Sequence, residues 1–124
     1  MSNLVKLFAV SLSLAAMPAL ADSSQEIGTA AAHAGMAAGA DSFKTVHFHM
    51  QHTLNCLEGK TGADFNAGPG NPCDDMGNGA IQDSAPTVRP QLMDAVAKAK
   101  SAMSEENLDK AKALAADVQG ILNK

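Results

Sequence analysis

The sequence predicts an all-α fold, an antiparallel four-helix bundle of two helical hairpins joined by a long, disulfide-tied loop. Three observations predict it. Apolar residues recur at helical spacing in both halves of the chain. The two halves follow one plan. The stretch between them is dense in Gly, Asn and Asp and carries one of only two cysteines. A length of 124 residues suits one domain, and a hydrophobic content of 46% is ordinary for a globular chain.

The first element is expected to be removed. Residues 1–21 read as a secretory signal peptide: Lys6 precedes a short apolar run from Leu7 to Ala16. Pro18 breaks that run, and Ala19-Leu20-Ala21 supplies a small-x-small cleavage pattern. The expected location is therefore periplasmic or secreted, with residues 22–124 forming a single helical domain. No run of eighteen or more apolar residues is present, so no membrane association is expected after signal removal.

The first helix is expected at 24–39, a stretch rich in Ala, the best helix former. The second, at 42–58, carries Phe43, Val46, Met50, Thr53 and Leu57 at spacings of 3, 4, 3 and 4, which draw one stripe on a helix. Asp41 or Ser42 caps its start and Gly59 ends it. Residues 59–85 read as a compact loop, in which Asp64, Asn66, Asp74, Asp75, Asn78 and Asp83 serve as turn formers. The third helix, 87–102, has Leu92, Val96, Ala99 and Met103 on one stripe, with Pro86 and Pro90 near its start. The fourth, 104–122, opens on Ser104 followed by Glu105 and Glu106, and carries Leu108, Ala111, Ala115, Val118 and Leu122. That stripe is the second helix's stripe displaced by 65 positions, so a weak internal repeat relates the two hairpins, 24–58 and 87–122.

In an exported chain an even pair of cysteines, Cys56 and Cys73, defaults to a disulfide. Thiolate ligation of a metal is the other reading of the same pair.

All four histidines fall between positions 33 and 52. On a helix, His49 and His52 at i and i+3 lie within about 60° of each other. They form a polar stripe beside the apolar one, and His47 lies on its far border. A hairpin turning near 40–41 brings His33 opposite position 48, so His33, His49 and His52 converge, or alternatively His33 pairs with His47. Met36 and Met50 are auxiliary thioether candidates. Neutral imidazole suits Cu, Zn and Ni, thioether suits Cu(I), and divalent affinity peaks at Cu²⁺. Copper is thus the expected ion and zinc the second. The same Met and His side chains in a bundle also suit a haem b, which makes a haem electron carrier the alternative. No CxxCH occurs, which excludes covalent c-type attachment.

Composition removes other classes. Acidic residues outnumber basic ones 13 to 9, and there is no Trp or Tyr, so neither a phosphate-binding stripe nor a base-stacking platform is present and no nucleic-acid partner is expected. No Ser or Cys nucleophile sits in a recognisable elbow, so the chain reads as non-enzymatic. An open Ala-rich face is compatible with a homodimer. A metal-free interaction module that binds a periplasmic protein through the loop is a third reading.

The segment AAAHAGMAAGADSFKTVHFHMQH, from Ala30 to His52, together with the hairpin from Leu92 to Leu122, resembles the small periplasmic metal-binding proteins of ammonia-oxidising bacteria. The resemblance is one of architecture and composition over about two-thirds of the chain left after signal removal. It implies a signal-bearing four-helix bundle that binds copper and other divalent ions, with His33, His49 and His52, and then His47, as ligands. Two departures stand out: the second hairpin has no His, and a long Cys-bearing loop is inserted. They imply one discrete site in place of many weak ones, serving metal buffering, delivery or sensing.

Overall fold

A computed structural model describes residues 23–124, and the signal-peptide reading lies outside them. Five helices follow one another: α1 (Ser23–Ala38), α2 (Phe43–Glu58), α3 (Ala80–Asp83), α4 (Arg89–Ser104) and α5 (Leu108–Leu122). The four long ones form the expected antiparallel bundle. α1 packs on α2 and α5, and α4 packs on the same two neighbours, so α1 and α4 stand diagonally across the core. None of the described helices is long and apolar enough to cross a membrane.

Side-chain size explains the packing. α1 buries Ala30, Ala31, Ala34 and Ala37, α4 buries Ala95, Ala99 and Ala102, and α5 buries Ala111 and Ala115. The bulk comes mainly from α2, through Val46, Met50, Leu54 and Leu57. Small faces let three helices approach the one that carries large side chains, which keeps interior density high with few aromatics. The pairs Val46 and Ala111, Met50 and Ala115, Thr53 and Val118, and Leu57 and Leu122 are all buried. α2 and α5 therefore use equivalent positions, and their first residues, Phe43 and Leu108, are also 65 apart.

Of the two residues expected to cap α2, Ser42 does so, its side chain accepting from the Thr45 amide. Three features differ from the sequence expectation, the first being the start of α4, at Arg89 and not at 87. α4 runs on through Ser104, and α5 starts at Leu108 behind Asn107, whose side chain accepts from the Lys110 amide at 3.0 Å. Asn caps as well as Ser, and the extended Glu105 with the two residues after it reverses the chain. Glu105 Oε1 accepts there from the amides of Glu106 and Asn107. The third difference is α3, a single turn inside the expected loop. Four residues are too few to show periodicity, so α3 left no signal in the sequence.

The excursion between α2 and α3 is an organised structure. Gly59 ends α2 at φ 71°, its amide bonding to the Asn55 carbonyl, and Gly79 crosses beside it at φ 114°. A Cβ on Gly59 would collide with the Asn78 carbonyl, so the neck of the excursion requires glycine. The Gly79 amide donates to the buried Glu26 carboxylate of α1 at 2.9 Å. Cys56 and Cys73 are joined by a disulfide across a separation of 17 residues. In the chain-entropy account that loop closure stabilises by roughly 3 kcal/mol. The Asn side chains act locally, Asn66 accepting from the Gly68 amide and Asn71 from the Cys73 amide. Asp64 pairs with Lys100 of α4 at 3.1 Å, tying the excursion to the second hairpin.

The Ala-lined contacts define a stability test. Ala99 is fully buried in the core. Ala99→Leu is expected to destabilise by about 1–3 kcal/mol, because added methylenes force the helices apart. Urea unfolding followed by circular dichroism measures it, and an unchanged midpoint would contradict close packing at this position.

Candidate metal centre

Three histidines meet where α1 crosses the middle of α2. His49 and His52 project from adjacent turns of α2, and His33 reaches them from α1. His33 Nδ1 lies 3.2 Å from His49 Nδ1 and 3.3 Å from His52 Nδ1. One ligand nitrogen from each ring lies within 4.8 Å of the other two, and these three residues form a group that could hold a metal ion.

The excursion supplies a fourth contact. His52 Nε2 lies 2.9 Å from the Pro69 carbonyl oxygen. A carbonyl only accepts, so Nε2 carries the proton. In the neutral ring His52 Nδ1 is then a bare lone pair pointing at His33. Only His33 Nδ1–H can satisfy that contact, and His49 Nδ1 must share the same proton. One proton among three converging nitrogens leaves them short of donors. A metal ion would replace both contacts with one ligand bond from each of the three rings. Tetrahedral nitrogen ligands at about 2.0–2.1 Å from zinc lie roughly 3.3–3.4 Å apart, close to the two separations seen. Ligating imidazoles characteristically donate their other N–H to a carbonyl or carboxylate, the arrangement His52 has with Pro69.

Electrostatics keep two of the rings, His33 and His49, in the ligating form. Burial, then the neighbouring His52 and His49, lower the His33 pKa from 6.5 to about 4. Burial, then His52, lower that of His49 also. A group that resists protonation at neutral pH offers its lone pair without proton competition. Phe48 stands edge-on to both α2 rings, with centroids 4.3 Å from His52 and 5.2 Å from His49, and closes one side of the cluster with an apolar surface.

Of the two convergences compatible with the sequence, the structure has His33 with His49 and His52. His47 lies apart, its ring 6.1 Å from that of Phe43, and its buried Nε2 has no hydrogen-bond partner among the described residues. Met50 is fully buried in the hydrophobic core, as its place on the apolar stripe requires, and so belongs to packing, not to the cluster. Met36 is exposed, one turn beyond His33 on α1. Cys56 and Cys73 are both in the disulfide, which leaves no thiolate for a metal. Sequence reasoning missed Pro69, because a backbone carbonyl leaves no mark in a pattern of side chains. Compared with known proteins, the chain matches no family model, no curated protein and no solved structure.

The lowered His33 pKa sets the sign of a pH effect. The folded state binds this proton less readily than the unfolded state. The contribution is complete above pH 6.5, the ordinary value, and is lost as pH falls towards about 4. Metal-free protein is therefore expected to lose stability across that interval, and His33→Gln to flatten the slope. Urea midpoints measured at several pH values test this, and parallel profiles for parent and variant would refute it.

Proposed function

We propose that the protein is an exported, non-enzymatic carrier of one transition-metal ion, with Cu²⁺ the preferred occupant and Zn²⁺ the second. The observation that carries this reading is the convergence of three imidazoles, with His33 Nδ1 at 3.2 Å from His49 Nδ1 and 3.3 Å from His52 Nδ1, and with the opposite nitrogen of His52 against the Pro69 carbonyl. Three nitrogen donors with no carboxylate in the group suit a borderline ion better than Mg²⁺ or Ca²⁺, and affinity in such a set peaks at copper. The disulfide supports an oxidising compartment, in keeping with the leader expected at 1–21. The resemblance to small periplasmic metal-binding proteins supports buffering or delivery as the role. A haem is not favoured, because ring nitrogens 3.2 and 3.3 Å apart leave no gap for a macrocycle.

Titration of the oxidised, untagged protein with Cu²⁺ against a competing chelator tests the proposal. One ion per chain is expected. His33→Ala and His49→Ala should each weaken binding by more than about 100-fold, since losing even a supporting contact commonly costs 10–100-fold. His47→Ala should leave the affinity unchanged. Equal affinity in the parent and the two ligand variants would end the metal reading.

A further inference from the structure

Asn55 lies one turn beyond His52 on α2, is 1% exposed, and has its whole amide in use. Its Nδ2 donates to the carbonyls of Asn66 at 2.7 Å and Gly70 at 2.8 Å. Its Oδ1 accepts from the Asn66 amide and from Gln51 Nε2, both at 3.0 Å. Two donors and two lone pairs exhaust what a primary amide offers. The segment it grips is a closed turn, in which the Gly70 amide bonds to the Ala67 carbonyl and the Asn66 side chain to the Gly68 amide. Pro69, whose carbonyl accepts from His52 Nε2–H, is the residue just before the gripped Gly70. The backbone passes close there: a Cβ on Gly70, itself at φ 103°, would stand 3.8 Å from His52 Nε2.

We propose that Asn55 is a positioning residue of the metal centre. It holds the 66–70 turn in the register that puts the Pro69 carbonyl on His52 Nε2, and thereby commits His52 Nδ1 to the ion. The inference rests on the metal-binding reading above and adds a supporting layer to it, built from the excursion. The disulfide fixes that the excursion returns to α2. The two Asn55 donations fix which carbonyl faces the ring. A bare fastening role would need no such register, because Cys56–Cys73 and the Gly59–Gly79 neck already close the loop.

The decisive variant is Asn55→Asp in the full chain with its disulfide intact. Aspartate has the same shape and keeps both acceptor contacts, but it loses the two donations to Asn66 and Gly70. Zn²⁺ affinity, read by chelator competition, is expected to fall about 10–100-fold. Long-range ¹H–¹⁵N spectra of the metal-free protein are expected to show His52 leaving its single Nε2–H tautomer. Ala99→Leu, destabilised from α4 with the Asn55 amide unchanged, is expected to keep both the affinity and the tautomer, which separates positioning from loss of stability. Unchanged affinity with His52 still in the Nε2–H form in Asn55→Asp would overturn the proposal. Should Asn55→Asp fail to fold, the parent decides. Coupling is reciprocal, so Zn²⁺ must slow hydrogen exchange at the Asn66 amide that Asn55 holds, and an unchanged rate would overturn the role. Equal Zn²⁺ binding by parent and His33→Ala would instead bring down the metal reading, and this inference with it.

Discussion

The hydrogen bond between His52 Nε2 and the Pro69 carbonyl is where the helical bundle and the excursion meet. On one side of it are the regular elements, which set the spacing of His49 and His52 along α2 and the approach of His33 from α1. On the other is a segment of irregular backbone that must be rigid for one of its carbonyls to orient a ring. Each fastening of the excursion serves that rigidity: the glycine neck, the disulfide, and the amide of Asn55. An imidazole held by packing alone could rotate and exchange its proton between nitrogens. One that donates to a fixed carbonyl has a single tautomer.

The excursion also changes what α2 is. Residues 51–57 are all buried, although α2 is amphipathic. The apolar stripe faces the other helices, and the opposite side is covered by the returning loop. That is why Gln51, His52 and Asn55 are buried. Each has a backbone partner in the excursion: Gln51 donates to the Asp64 carbonyl at 2.8 Å, His52 bonds to Pro69, and Asn55 to Asn66 and Gly70. Buried polar groups are tolerable only when satisfied, and here the loop backbone supplies the partners. The polar face of α2 and the loop therefore require each other. Without the loop the face would be solvent-exposed, and without the face the loop carbonyls would lack donors.

Two of the three rings, His33 and His49, are held towards the neutral form. Burial and mutual proximity make an added proton costly at His33, and the same proximity makes a shared cation favourable, because three ring nitrogens lie together and the shared Nδ1 proton can leave for the ion. A metal ion satisfies all three directions at once, which a proton cannot. Phe48 adds an apolar wall that lowers the local dielectric on one side and strengthens whatever charge–dipole interaction forms there.

The bundle was legible from the sequence because burial periodicity is a local property. Phe43, Val46, Met50, Thr53 and Leu57, and their counterparts from Leu108 to Leu122, are spaced by the helix itself and need no knowledge of their partners. The same periodicity placed His49 and His52 side by side, and hairpin geometry made His33 their candidate partner. What periodicity could not decide was the choice between His33 with His49 and His52 and His33 with His47, since that depends on how α1 rolls against α2. Small residues at Ala30, Ala34 and Ala37 decided it by where they allow close approach. Nor could it assign Asn107 over Ser104 as a cap, because both residues cap equally well and only the path of the turn discriminates. The loop's position and its disulfide were legible in the sequence, but its part in the site was not. Its contribution is made by backbone carbonyls of Asp64, Asn66, Pro69 and Gly70, whose directions are set by long-range contacts with α2 and not by the identity of the residues that carry them.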